Sequence, residues 1–195
     1  MTKRGRASRE RIVERAAELF AARGIAATSL DEVLAAAKAG KGQFYHYFRS
    51  RDELTAAEVG FRCALVVAGL TEALGSVSSL RDLEQALAGF MTGFEQEGMP
   101  GCPIGTLSTE VAGRNEEARA QAAAGFDAWE KLLADALDRM RQRGELRADA
   151  DPAVLATGLL ACIEGGMVLS QARKDMTSLR VAVEAGLAHV RSHLS

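Results

Sequence analysis

The chain has 195 residues, of which 48% are hydrophobic and 26% charged, with only three prolines, a balance that excludes a disordered or fibrous chain. Its net charge of −2 is unevenly divided: residues 1–51 hold eleven Lys/Arg against five Asp/Glu, a net of +6, and residues 52–195 hold thirteen against twenty-one, a net of −8. One end of the molecule can meet a polyanion and the other cannot.

Alanine-rich runs with few β-branched clusters predict an all-α fold. The basic start is interrupted by Glu14, Arg15 and Glu18, so no secretory leader is expected. No stretch reads as the ~20 apolar residues of a membrane helix, and no membrane partner is expected. Cys63, Cys102 and Cys162 are odd in number and widely spaced, which gives neither a disulfide framework nor a zinc spacing. A reducing cytoplasm is the expected compartment.

In chain order, Ile12, Val13, Ala16, Leu19 and Phe20 recur at helical spacing and Gly24 closes a first helix. The basic stretch TKRGR ahead of it, with Lys3, Arg4 and Arg6, is either solvated charge or an arm that tracks phosphates. TSLDEVLAAAK opens a second helix with a capping box, Ser29 and Glu32, and buries Leu30, Val33, Leu34 and Ala37. After AGKG comes a third short helix at QFYHYF. SRDEL then repeats the cap signature with Ser50 and Glu53 and opens a long helix to about residue 73. Ser79 caps a helix over about 80–97, IGTLSTEVA carries a short one, and Asn115 opens a long one through Trp129 and Met140. Pro152 stands at the first position of a helix to about residue 173, and Leu179, Val183, Leu187, Val190 and Leu194 mark a last one. The expectation is about nine helices, all-α.

KGQFYHYF, residues 41–48, holds four of the chain's ten aromatic residues. At ~100° per residue, Phe44 and Phe48 share one face and pack inward, His46 lies opposite, and Tyr45 and Tyr47 flank the buried stripe with their hydroxyls at the rim. The outward surface is then Lys41, Gly42, Gln43, Tyr45, His46 and Tyr47, a cation, a position without a side chain and groups that suit phosphates and base edges. Gly42 costs ~1 kcal/mol against alanine in a helix, which close approach of a ligand's backbone would offset. Two short helices joined by a tight turn, the second polar and basic outward, form a helix-turn-helix.

The run TSLDEVLAAAKAGKGQFYHYFRSRDEL, with the helix before it, resembles the DNA-binding head of TetR-family transcriptional regulators over about residues 8–55. The resemblance implies DNA contacts from Thr28 and Ser29 and from Lys41, Gly42, Gln43, Tyr45, His46 and Tyr47. This chain departs from the usual pattern at Lys38, Gly40, Gln43 and Phe44; Gly40 can still cap a helix, and Gln43 can read adenine. The implied domains are a DNA-binding head, 1–52, and a ligand-binding and dimerisation part, 53–195. The partners so implied are double-stranded operator DNA, a small-molecule effector and a second copy of the chain, with no cofactor.

The acidic remainder resembles the family in helix count and in GCPIG....E, residues 101–110, a stretch seen in one branch of the family. Phe61, Leu65, Phe90, Phe94, Leu107, Phe126 and Trp129 are the candidates to line an apolar cavity. Gly158, Cys162, Gly165 and Gly166 let helices approach closely, within the chain or across a dimer. Cys102 before Pro103 is either a thiol activated at a helix start or a small residue at a bend. His189 and His193, four apart, read mainly as partners of a helix's last carbonyls rather than metal ligands. The function expected is a ligand-responsive DNA-binding regulator, a repressor released by a small apolar or aromatic effector. A helical adaptor without DNA binding is the alternative. With no Ser/His/Asp or Cys/His arrangement and only three histidines, an enzyme is the poorest reading.

Overall fold

The computed structural model describes residues 3–195, with side chains from Gly5 onward. Nine α-helices follow one another among these residues: α1 Lys3–Arg23, α2 Leu30–Ala36, α3 Lys41–Tyr47, α4 Arg51–Leu74, α5 Leu80–Gln96, α6 Pro103–Val111, α7 Glu116–Gln142, α8 Pro152–Arg173 and α9 Thr177–Arg191. The all-α expectation holds. The stretch expected as an arm is helical from Lys3 on, while Thr2 and the side chains of Lys3 and Arg4 lie outside the described residues.

The boundaries follow from local chemistry. Ser29 accepts from the Glu32 N–H and the Glu32 carboxylate accepts from the Ser29 N–H, so the capping box satisfies both ends of the first turn of α2. Asp151 accepts from the N–H groups of Ala153 and Val154 at the start of α8, and Pro152 takes the position that needs no donor. Asn115 caps α7 by accepting from the Ala118 N–H at 2.9 Å. Gly24 stops α1 with φ +84°, its N–H returning to the Phe20 carbonyl at 2.8 Å.

The chain forms two compact units. The first takes residues up to Leu65 together with Leu107–Gly125, and the second takes Val66–Thr106 with Phe126–Ser195. Helices α4, α6 and α7 contribute residues to both. In the first unit, Ile12, Phe20, Leu34, Phe44, Phe48 and Leu54 build one core from α1 to the start of α4. Each such side chain contributes ~1.5–3 kcal/mol by leaving water. Arg9 lies over the Phe48 ring at 4.9 Å from its centroid, a cation–π contact from α1 to the chain that leaves α3.

Among the described residues of this unit, one acid is buried. Glu58 of α4 is fully buried; one oxygen is 3.5 Å from Arg62, and the other has no hydrogen-bond partner among the described residues. Burial pushes its pKa up to about 7, against the pull of Arg62. A carboxyl whose folded pKa exceeds its unfolded value makes the protein release a proton on unfolding. The contribution of this one group to stability is therefore most favourable at acid pH and falls as pH rises from about 4.5 towards 7. Glu58→Gln is expected to stabilise the protein by on the order of 2–3 kcal/mol at pH 8 and to change little at pH 5. Thermal scans at both pH values check this, and a wild type that melts higher than the variant at pH 8 contradicts it.

In the second unit α8 packs along α9. Gly166 is buried, and a Cβ there would stand 2.9 Å from the Leu179 Cα and 3.0 Å from the Ala182 Cβ. A Cβ on Gly186 would meet the Leu159 Cδ1 at 2.7 Å. Gly166 therefore seats α9 of its own chain. Gly165, next to it, is exposed with open space around its Cβ position. The Ser170 hydroxyl, buried at the end of α8, accepts from the Leu179 N–H at 3.0 Å.

Two helices have the expected length but are more apolar than the sequence reading allowed: α4 and α8 are sufficient, by length and composition, to cross a membrane. Their apolar residues serve several neighbours at once. Those of α4 are divided between the head core and the second unit, and those of α8 between α9 and an outward strip, with 33% and 44% of the respective apolar windows buried inside the protein.

Candidate DNA-binding surface and ligand pocket

Helix α3 is seven residues long, too short to persist by itself, and is held by what it buries. Phe44 and Phe48 are fully inside, their rings stacked at 5.4 Å between centroids. Gly40 caps the helix without a side-chain bond. Lys41, Gly42, Tyr45 and His46 face outward, and Gln43 and Tyr47 are half-buried beside them. Tyr45 is 61% exposed yet rests edge-on against Phe44, centroids 5.1 Å apart. His46 meets Tyr47 in the same manner at 5.0 Å. These contacts restrict both aromatic side chains before any ligand arrives. A Cβ at Gly42 would meet nothing within 4 Å, so the glycine leaves open surface and fills no internal gap.

Two expected contacts are already engaged. The Lys41 ammonium pairs with the Asp31 carboxylate at 3.1 Å, both well exposed. The Gln43 amide nitrogen donates to the Ser8 hydroxyl at 2.5 Å, and Ser8, buried in α1, also accepts from Arg11 at 3.2 Å. A third expected contact is out of reach. Thr28 is 1% exposed, and its hydroxyl donates to the Gly24 carbonyl at 3.0 Å. Its side chain locks the turn before α2, while Ser29 is exposed at the helix start. Ser8 and Asp31 were missed because nothing in the local pattern marks them; they are found only once α1, α2 and α3 are packed.

The second unit contains a cavity of about 450 Å³ among α4, α5, α7 and α8, walled by Val66, Leu70, Ala86, Phe90, Trp129 and Ile163 among others. Trp129 is buried and meets Phe90 edge to face at 6.2 Å. Phe94 stacks with Phe90 at 6.4 Å between centroids. Gln85 brings a polar side chain to an otherwise apolar lining. Of the expected cavity residues, Phe90 and Trp129 line it. Phe126 sits half-buried one turn before Trp129. Phe61, Leu65 and Leu107 belong to the first unit: Phe61 packs on the head core, Leu65 is 59% exposed and Leu107 is buried. The α4 wall went unread, although Val66, Leu70 and Leu74 recur every four residues and form one helical stripe.

Cys102 is not an activated thiol. It is buried, its sulfur accepts from the Gly105 N–H at 3.3 Å, and the Glu164 carboxyl faces it. Burial above all, and then Glu164, push the thiol up to about 12, so desolvation outweighs the helix-start dipole. The ring of His193 donates from Nδ1 to the His189 carbonyl at 3.0 Å, so it serves the end of α9. Among the described residues no group of three His, Cys, Asp or Glu side chains is placed to hold a metal ion.

A three-helix head whose short third helix exposes a cation, a glycine and two braced aromatics defines a helix-turn-helix DNA-binding regulator. Known proteins narrow that class. Residues 12–57 match the family described as bacterial regulatory proteins, tetR family, and residues 77–186 match the Tetracyclin repressor-like C-terminal domain. The chain belongs to the TetR family of transcriptional regulators, which regulate transcription and are not enzymes. It is 31% identical over 189 residues to the HTH-type transcriptional regulator YxaF of Bacillus subtilis, covering 94% of this chain and 95% of that one. It is 30% identical over 190 residues to the HTH-type transcriptional repressor NemR of Escherichia coli, covering 95% and 92%. The crystal structure of reduced E. coli NemR superposes with a TM-score of 0.76 at 27% identity over 97% of both chains.

Proposed function

We propose that this protein is a cytoplasmic homodimeric repressor released from its operator by a small apolar or aromatic effector. Residues 1–52 make the DNA contacts through Ser29, Lys41, Gly42, Gln43, Tyr45, His46 and Tyr47, and residues 53–195 bind effector and dimerise. The observation that carries the ligand-responsive reading is the cavity of about 450 Å³ behind Phe90 and Trp129, a volume that suits a small organic molecule. Repression is supported by the name of the NemR relative. Dimerisation is supported by the outer strip of the last two helices. Val154, Val168, Leu169 and Val181 are four of the six large hydrophobic side chains exposed among the described residues, and such a patch calls for a partner.

In this reading two heads enter successive major grooves ~34–36 Å apart. An effector in the cavity favours an arrangement of the heads that no longer fits that spacing. Gel shift with the DNA flanking the protein's own gene, with and without small aromatic molecules, tests the proposal. A salt-sensitive complex that such a molecule dissolves is expected, and failure to retain that DNA at low salt contradicts it.

A further inference from the structure

The motif GCPIGTLSTE, residues 101–110, ends on an acid whose position gives it work in the head. At the end of α1 the Gly24 N–H returns to the Phe20 carbonyl, a cap that leaves the next amide, that of Ile25, unclaimed by the helix. The Glu110 carboxylate of α6 accepts that Ile25 N–H in a hydrogen bond. From the other side, Arg51 at the start of α4 donates to the Ile25 carbonyl at 2.5 Å and to the Thr28 carbonyl at 2.7 Å. Both backbone polar groups of Ile25 are therefore held by charged side chains from elsewhere in the first unit. Asn115, four residues past the end of α6, adds a second point by donating from its amide to the Asp52 carbonyl at 2.9 Å. Gly24 itself fits this contact: its φ is +84°, and a Cβ there would stand 3.2 Å from the Glu110 carboxylate oxygen.

We infer that Glu110 is a positioning residue for DNA recognition. Its carboxylate clasps the turn at residues 24–28, which leads directly into Ser29 and α2, and so sets where α2 and α3 present their outer surface. Hydrogen bonds to a charged acceptor are roughly twice as strong as neutral ones, and this one fixes backbone rather than a side chain. The inference rests on the reading of the head as the DNA-binding part, and it adds a residue that never meets DNA.

The test is Glu110→Ala beside Glu110→Gln in the full-length protein, with two readouts. Amide hydrogen exchange at Ile25 in the free protein is expected to speed up by roughly tenfold in Glu110→Ala, and affinity for the DNA upstream of the protein's own gene to fall by a similar factor. Helix content and Trp129 emission should stay at wild-type values. Glu110→Gln keeps an acceptor oxygen and should recover most of both effects. Wild-type exchange at Ile25 in Glu110→Ala would show that the clasp does not hold. Faster exchange with unchanged DNA affinity would show that it does not position the head. If the wild type fails to retain that DNA, the DNA-binding reading falls and the positioning role with it, while the exchange result still decides whether the clasp exists.

Discussion

Replacing Lys41 and Tyr45 together by alanine is expected to lower operator affinity by roughly 100-fold at moderate salt, because a dimer loses two copies of a phosphate-facing cation and of an exposed aromatic contact. The head should remain folded. The Lys41 ion pair with Asp31 is exposed on both sides, and such pairs contribute little to stability. Tyr45 packs on Phe44 only by its edge and is 61% exposed, while the buried Phe44 and Phe48 that hold α3 are untouched. Loss of Lys41 alone should weaken binding nearly uniformly across sequences and flatten the salt dependence by about one phosphate contact per head. Fluorescence anisotropy with labelled DNA at two salt concentrations reads both effects. Affinity within a factor of two of wild type in the double variant would remove α3 from the interface.

The second large effect separates two adjacent glycines. Gly166→Arg forces a long charged side chain against the Leu179 backbone and the Ala182 side chain, where even a Cβ would stand at 2.9–3.0 Å. Burying that bulk and charge between α8 and α9 is expected to cost several kcal/mol and to abolish cooperative melting. Gly165→Arg meets open space in its own chain and shares the outward face with Val168 and Leu169. It should leave the fold intact while placing a charge in the proposed subunit contact. Folded monomers with sharply weaker DNA binding are the expected product, since one head alone neutralises few phosphates. Sedimentation and thermal melting distinguish the pair. A dimeric Gly165→Arg with native affinity would move the subunit contact away from this strip.

The contrast between these glycines marks what could be read in the amino-acid order. Ser29 with Glu32, Pro152 after Asp151, and Phe44 with Phe48 at helical spacing are local signals, and each stands where its chemistry predicts. The burial of Thr28, the Gln43 bond to Ser8 and the Glu110 bond to Ile25 join residues that lie far apart or look polar and free in a linear reading. Gly165 and Gly166 are the same letter repeated, and only the phase of α8 against α9 decides which one faces inward. Apolar residues on α4 present a related problem. Phe61 serves the head core and Val66 the cavity wall, five residues apart on one continuous helix. Hydrophobicity alone does not say which space a side chain fills.

The most direct measurement is a single titration read in two ways. Labelled DNA from upstream of the gene is bound to the wild-type protein, and a series of small aromatic molecules is added while DNA anisotropy and Trp129 emission are recorded together. Trp129 is the chain's only tryptophan and lines the cavity, so its emission reports that site without a label. Any molecule that releases DNA should change Trp129 emission over the same concentration range, and DNA should weaken that molecule's binding by the factor by which it weakens DNA binding. Release of DNA with Trp129 emission flat throughout would contradict a sensor in this cavity.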